Sequence, residues 1–362
     1  MAKNKDEKYR KQNSEIPSEE PMPDYLEMID LDAKEDMEEQ EEGFSFNVFH
    51  LIFLGLLVAI VLLLIRQFGK LGTFVDIRSV GTADDVEEEN FDNIMPLLDE
   101  DGYLVHQDVD TILLFGNDPF ADDRGSDSSL PALIEQKTGA KVINCAVSGS
   151  YQAAEEMLFD PVNHPMDAFI PYWMIVNTMD RSTDDFPEEA AATLGDATPP
   201  DGRLAYDNLL AADLDDVDVC ILFYDESDYF ADRPIHFDSD YQKLTSFVGS
   251  MGATVTILRV YHPQIRFIVV SPTYAYIPEP DGSYSDAELR SNSWGKPSDY
   301  ALWEYSVCAD RLGVSFLDAY FNLVNCNNAS DYLTDHIHLN RQGRELIADR
   351  IKYFIDYYDK EE

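Results

Sequence analysis

The chain has 362 residues, 45% hydrophobic and 12% aromatic, enough to bury a sizeable core in one large domain or two small ones. Its formal net charge of -44 argues against nucleic-acid binding, because such a chain repels phosphate backbones, and it equally disfavours anionic lipid surfaces. Solubility or a salty habitat accounts for the acidity without any specific basic partner.

Residues 1–42 open with a mixed-charge stretch, MAKNKDEKYRKQN, and end in DMEEQEE. Little in them could join a core, so they read as a disordered acidic tail. The segment 43–66 follows, centred on LIFLGLLVAIVLLLI and free of Lys, Arg, Asp and Glu through residue 65. It supplies the roughly 20 apolar residues that a membrane span needs, and it lacks the polar face of a buried core helix. A single transmembrane helix is expected here. Arg66 and Lys70 flank its far end and favour a cytoplasmic domain, whereas the basic residues between Lys3 and Lys11 favour a cytoplasmic N-terminus. One helix before a large domain is the layout of a signal anchor, which favours an extracytoplasmic domain.

Residues 67–107 read as an acidic connector, and 108–362 as the folded domain. From there the chain alternates. Apolar runs at 111–115 (TILLF), 141–145 (KVINC), 217–224 (VDVCILFY), 265–270 (IRFIVV) and 313–317 (GVSFL) read as strands. Between them lie helix-like segments: SLPALIEQKTG, the region of AAEEMLF and DAFIPYWMIVN, KLTSFVGSMGATVTILRVYH and SDYALWEYSVCADRLG. An amphipathic RQGRELIADRIKYFIDYY closes the chain. Strands apolar throughout and alternating with helices imply a five-stranded parallel sheet covered on both faces, an α/β three-layer fold. Residues 155–213 read as an elaboration of the second crossover, and 275–298 as a long loop of the kind that covers sites. The cysteines Cys145, Cys220, Cys308 and Cys326 have no zinc spacing; the first three read as buried thiols, and an oxidising location would permit a Cys308–Cys326 disulfide.

Ligands of open parallel sheets bind at the carboxyl ends of the strands. Those positions read GND (116–118), AVSGS (146–150), DESDY (225–229) and SPTY (271–274), with DHIHLN (335–340) beyond the last strand. In TDHIHLNRQG, Asp335 stands three residues before His338, a spacing that lets its carboxylate hold Nδ1 and leave Nε2 as a base. Asn340 would cap the following helix, whose Leu346, Ile347, Ile351, Phe354 and Ile355 form a stripe. A plain polar loop, or a metal held by Asp335, His336 and His338, are the other readings of this spacing; no further His/Cys cluster supports a metal, and no cofactor is expected.

The order strand–GND, NCAVSGS, ILFYDESDY, DHIHLN-x-x-G resembles the SGNH/GDSL hydrolases over residues 105–358. The resemblance implies a flavodoxin-like fold and ester or acyl-group hydrolysis. It implies His338 as base, Asp335 as its orienting carboxylate and Gly149 as an oxyanion-hole donor. Ser227 falls where the family places an oxyanion Asn, followed by the matching Asp228. In the first block Gly116 matches, Asn117 replaces Asp, and Asp118 replaces the nucleophilic serine. Water activated by Asp118 or His338, or a displaced serine (Ser148 or Ser150), would then have to attack; Ser128 or Ser129 reads as a helix cap. Three functions follow: an envelope esterase or deacetylase acting on a carbohydrate or other ester; an inactive domain that binds such a ligand; or a membrane-anchored scaffold with an acidic recruiting tail.

Overall fold

The computed structural model describes residues 90–98, 102, 104, 105, 108–179, 187–237 and 242–360. The tail, the 43–66 segment and most of the connector lie outside them, and among the described residues no helix is long and apolar enough to cross a membrane.

The expected strands form as β1 (Thr111–Gly116), β2 (Lys141–Asn144), β3 (Val219–Phe223) and β4 (Arg266–Val270), and the fifth is β7 (Ser315–Leu317). All pairings are parallel, in the order β2-β1-β3-β4-β7. This is the doubly wound 2-1-3-4-5 order, whose ligand crevice lies between the strands where the winding reverses. Alternate residues face opposite sides. Leu113, Phe115, Cys220, Leu222, Phe267 and Val269 enter one core, and Ile112, Leu114, Ile221, Phe223, Ile268 and Val270 the other. Each is at most 2% exposed, so each large apolar side chain contributes about 1.5–3 kcal/mol by leaving water.

The first face is covered by α3 (Pro171–Thr178), α5 (Gly202–Ala211), α7 (Phe247–Tyr261) and α8 (Pro297–Val307). The second is covered by α2 (Leu130–Thr138) and α10 (Arg341–Ile355). Short helices α1 (Asp118–Ala121), α4 (Glu188–Leu194), α6 (Ser227–Phe230) and α9 (Ala329–Tyr332) complete the set. Ser129 caps α2 by accepting the Ala132 N–H at 3.4 Å, and Asn340 caps α10 by accepting that of Gly343 at 3.0 Å. The α10 stripe is buried at Ile347, Ile351, Phe354 and Ile355, while Leu346 is half-buried.

Two local expectations are corrected. The AAEEMLF region is not helical, because carboxylates take its backbone N–H groups: Asp228 binds those of Gln152 and Ala153, and Asp167 those of Glu155 and Glu156. The 275–298 loop contains a hairpin, β5 (Tyr276–Pro278) with β6 (Tyr284–Asp286). Cys145, Cys220 and Cys308 are buried thiols, as expected, and Cys326 is exposed.

Residues read as connector also lie on the sheet. Asn93 exchanges two backbone hydrogen bonds with Phe316, at 2.8 and 2.9 Å, and so pairs with the outer edge of β7. Asp92 binds Arg350, and the Asp318 carboxylate accepts the Phe91 N–H.

Candidate active site

Gly116 ends β1 against β3 so closely that a Cβ there would stand 2.1 Å from the Phe223 carbonyl oxygen. The chain then turns, and the fully buried Asn117 side chain ties this turn to the end of β3. Its Nδ2 donates to Asp225 Oδ1 at 2.7 Å and its Oδ1 accepts the Asp225 N–H at 3.0 Å. The next residue, Asp118, opens α1 at the rim and is 8% exposed.

The second block meets it there. Ser148 Oγ donates to Asp118 Oδ1 at 2.7 Å, and the Gly149 N–H reaches both carboxylate oxygens at 3.2 and 3.3 Å. Gly149 has φ +66°, a conformation that favours glycine and turns its N–H toward the site. Behind it, Asp228 holds Gln152 and Ala153, and Asp201, ion-paired with Arg124, holds the Ser148 N–H.

His338 arrives from the loop before α10. Asp335 accepts the N–H groups of Ile337 and His338 through Oδ1, and meets His338 Nδ1 through Oδ2 at 2.8 Å. This fixes the ring with Nε2 toward Asp118, 3.9 Å from Oδ2. That gap is too long for a direct hydrogen bond, so the coupling is that of an ion pair.

The charges follow from these contacts. Asp118, with burial opposing, is pulled below the usual carboxylate range by His338, Ser148 and Gly149. Asp335, also against burial, is held down to about 2 by the His338 and Ile337 N–H groups and by the imidazole. His338 is raised to about 10, chiefly by Asp118, with burial opposing and Asp335 reinforcing. At neutral pH the site therefore holds an imidazolium between two carboxylates, and an imidazolium is not a base.

Of the residues singled out from sequence, His338, Asp335, Asp118 and Gly149 meet. Ser227 binds the turn that carries Asp118: its N–H donates to Asp225 Oδ1 and its Oγ accepts from Asn117 Nδ2 at 3.4 Å. His336 has its Nδ1 3.7 Å from Asp335 Oδ1 and its ring near Phe230 and Tyr284, at centroid distances of 5.6 and 6.4 Å. The group with metal-ligand geometry is a different one, Asp118, Asp122 and His338, whose donor atoms lie within 4.8 Å of one another. Sequence reasoning missed Asp122; its signal was the four-residue step from Asp118 in DPFAD, one helical turn. Burial raises Asp122 to about 6, with His338 opposing and Asp118 adding.

Several solved structures are similar to the chain. A protein from Lactobacillus plantarum is 19% identical, covering 70% of this chain and 99% of its own, with a TM-score of 0.46. A possible lipase from Chitinophaga pinensis is 12% identical (69% and 98% covered, TM-score 0.44). A carbohydrate acetylesterase from Sinorhizobium meliloti is 13% identical (69% and 99% covered, TM-score 0.38). No family model matches the chain, and neither does any curated protein. With a parallel sheet in 2-1-3-4-5 order, polar blocks gathered on one rim and a His338–Asp335 pair in the last of them, the chain resembles the SGNH/GDSL hydrolases in fold and in block order.

Proposed function

We propose that the chain is a membrane-anchored, SGNH-like domain that binds an ester- or acyl-bearing carbohydrate without hydrolysing it, with residues 43–66 as the anchor and the domain outside the cytoplasm. One observation carries this reading. The Asp118 carboxylate already occupies the Gly149 N–H, the donor that would stabilise a developing oxyanion, and stands 3.9 Å from His338 Nε2. A tetrahedral intermediate would have to displace a fixed negative charge from its own binding site. The ligand class rests on the rings beside His336, whose own ring centroid is 6.2 Å from that of His338. Phe230 and Tyr284 are 39% and 52% exposed and flank His336, offering flat apolar faces next to polar groups, a combination that suits a sugar ring.

A second reading, hydrolysis by Ser148 with Asp118 as its base, has the 2.7 Å hydrogen bond between them in its favour. It leaves the Gly149 N–H committed to the base, so we place it second. Hydrolysis of acetylated sugars and aryl acetates by the full-length protein tests both. The expected result is no turnover by the parent and a gain of turnover in Asp118→Ser, which restores a nucleophile beside His338 and frees Gly149. Parent turnover abolished by His338→Ala would overturn the binding reading, and turnover abolished by Ser148→Ala would establish the second.

A further inference from the structure

We infer that Asp118, Asp122 and His338 form a binding site for a divalent transition-metal cation such as Zn2+ or Mn2+. The inference deepens the reading of this site as a closed one, using the same geometry but not the absence of turnover. Three features of the site point to it.

The first is the donor set. An Asp oxygen, a second Asp oxygen and an imidazole nitrogen converge from two elements, α1 and the loop before α10, within 4.8 Å of one another. Ligands of one cation at about 2.0–2.2 Å each can be no more than roughly 4.2 Å apart. His338 Nε2 and Asp118 Oδ2, 3.9 Å apart, already satisfy this limit. Asp122, half-buried at the end of α1, would have to close by about half an ångström. Two carboxylates with an imidazole suit a borderline cation better than a purely hard one.

The second is the outer shell. Metal-bound histidines commonly donate their other nitrogen to a carboxylate, which fixes the ring. His338 Nδ1 does so to Asp335 at 2.8 Å, while Ser148 and Gly149 orient Asp118 from behind.

The third is independent of the donors. Asp225 is 2% exposed and is joined to Asp118 through Asn117, and its Oδ2 has no hydrogen-bond partner among the described residues. Asp118, Asp122 and Asp335 thus surround a single imidazole, with Asp225 behind Asp118 across the Asn117 side chain. Arg344, the guanidinium whose charge reaches Asp122, is committed to Asp123 and to the Ser128 and Leu339 carbonyls. A cation bound to Asp118, only 8% exposed, would offset a charge that is largely removed from water. A divalent ion on His338 Nε2 would bind both carboxylates directly.

Titration calorimetry of the full-length protein with ZnCl2, in a large excess of Mg2+ to fill the acidic surface, tests the site. One equivalent of Zn2+ should bind, weakened at least 100-fold by His338→Gln and by Asp122→Asn, and about 10–100-fold by Asp335→Asn through the outer shell. Zn2+ binding equal in the parent, His338→Gln and Asp122→Asn would place the ion on the acidic surface and overturn the site, as would no binding above that surface level. Should a variant not fold, Co2+ added to the parent decides: it must selectively broaden the His338 imidazole resonances, and unaffected resonances overturn the site. Zn2+-supported ester hydrolysis would overturn the binding-only reading while leaving the metal site intact. A gain of turnover in Asp118→Ser without Zn2+ binding in the parent would do the reverse.

Discussion

The substitution Asp118→Asn isolates the charge that sets the state of His338. Asparagine keeps an oxygen for Ser148 and Gly149 and removes only the negative charge. At 3.9 Å, two unit charges interact by about 2–4 kcal/mol for an effective dielectric of roughly 20–40, which is about 1.5–3 pH units. The His338 side chain is 34% exposed, so solvent screening favours the lower end of that range. Its imidazole should therefore titrate from about 10 in the parent to roughly 8 in the variant. Because folding raises this pKa, the stabilisation is complete below the unfolded value near 6.5 and disappears as pH rises through about 10. In the variant the loss should be smaller and finish earlier. Long-range nitrogen–proton NMR of the imidazole, followed from pH 6 to 11, reads the midpoint directly, and urea unfolding at pH 7 and 10 reads the linkage. A midpoint shifted by less than half a unit would refute the ion-pair account of the site.

Three other expectations follow from the core and its caps. Glu304 is 1% exposed and is raised to about 8 by burial, so its neutral form is the folded one; its contribution is intact below pH 4.5 and falls by about 1.4 kcal/mol per unit as pH rises toward 8. Glu304→Gln should flatten that slope in denaturant unfolding, and an unchanged slope would exclude Glu304 as its source. Gly116→Ala places a Cβ 2.1 Å from backbone that cannot move aside, and should cost more than about 3 kcal/mol or abolish folding; Gly149→Ala meets no atom within 4 Å and should cost only the roughly 1 kcal/mol of its left-handed backbone. Equal losses in the two would contradict the close approach of β1 to β3. Asn340→Ala removes the cap of α10 and should lower stability by about 1 kcal/mol, measured by the same unfolding assay.

The strands were legible because each is apolar on both faces, a pattern that only a doubly covered parallel sheet requires. The His338–Asp335 contact was legible because it closes within one turn of chain. What lay beyond reach depends on long-range hydrogen bonds between polar groups. Asp228 and Asp167 strip a helix from residues 152–156 at sequence distances of 76 and 12 residues, and no local propensity records that competition. Ser227 was matched by position along the chain, but its hydrogen bonds to Asn117 and Asp225, themselves tied 108 residues apart, are long-range contacts that position does not record. The meeting of Asp118 with Gly149 was expected from block order. That the carboxylate would occupy the oxyanion donor itself is a matter of side-chain direction, which a sequence does not carry.

The pairing of Asn93 with Phe316 bears on how the domain can be handled at the bench. An unprotected outer strand is a template for another molecule's backbone, and here a few residues upstream of β1 seal it. A recombinant version cut at residue 105, where the sequence resemblance begins, would leave β7 bare and remove Asp92 from Arg350 and the Phe91 N–H from Asp318. Such a protein invites edge-to-edge aggregation, and its inactivity would say nothing about the site. Soluble versions should begin upstream of Phe91.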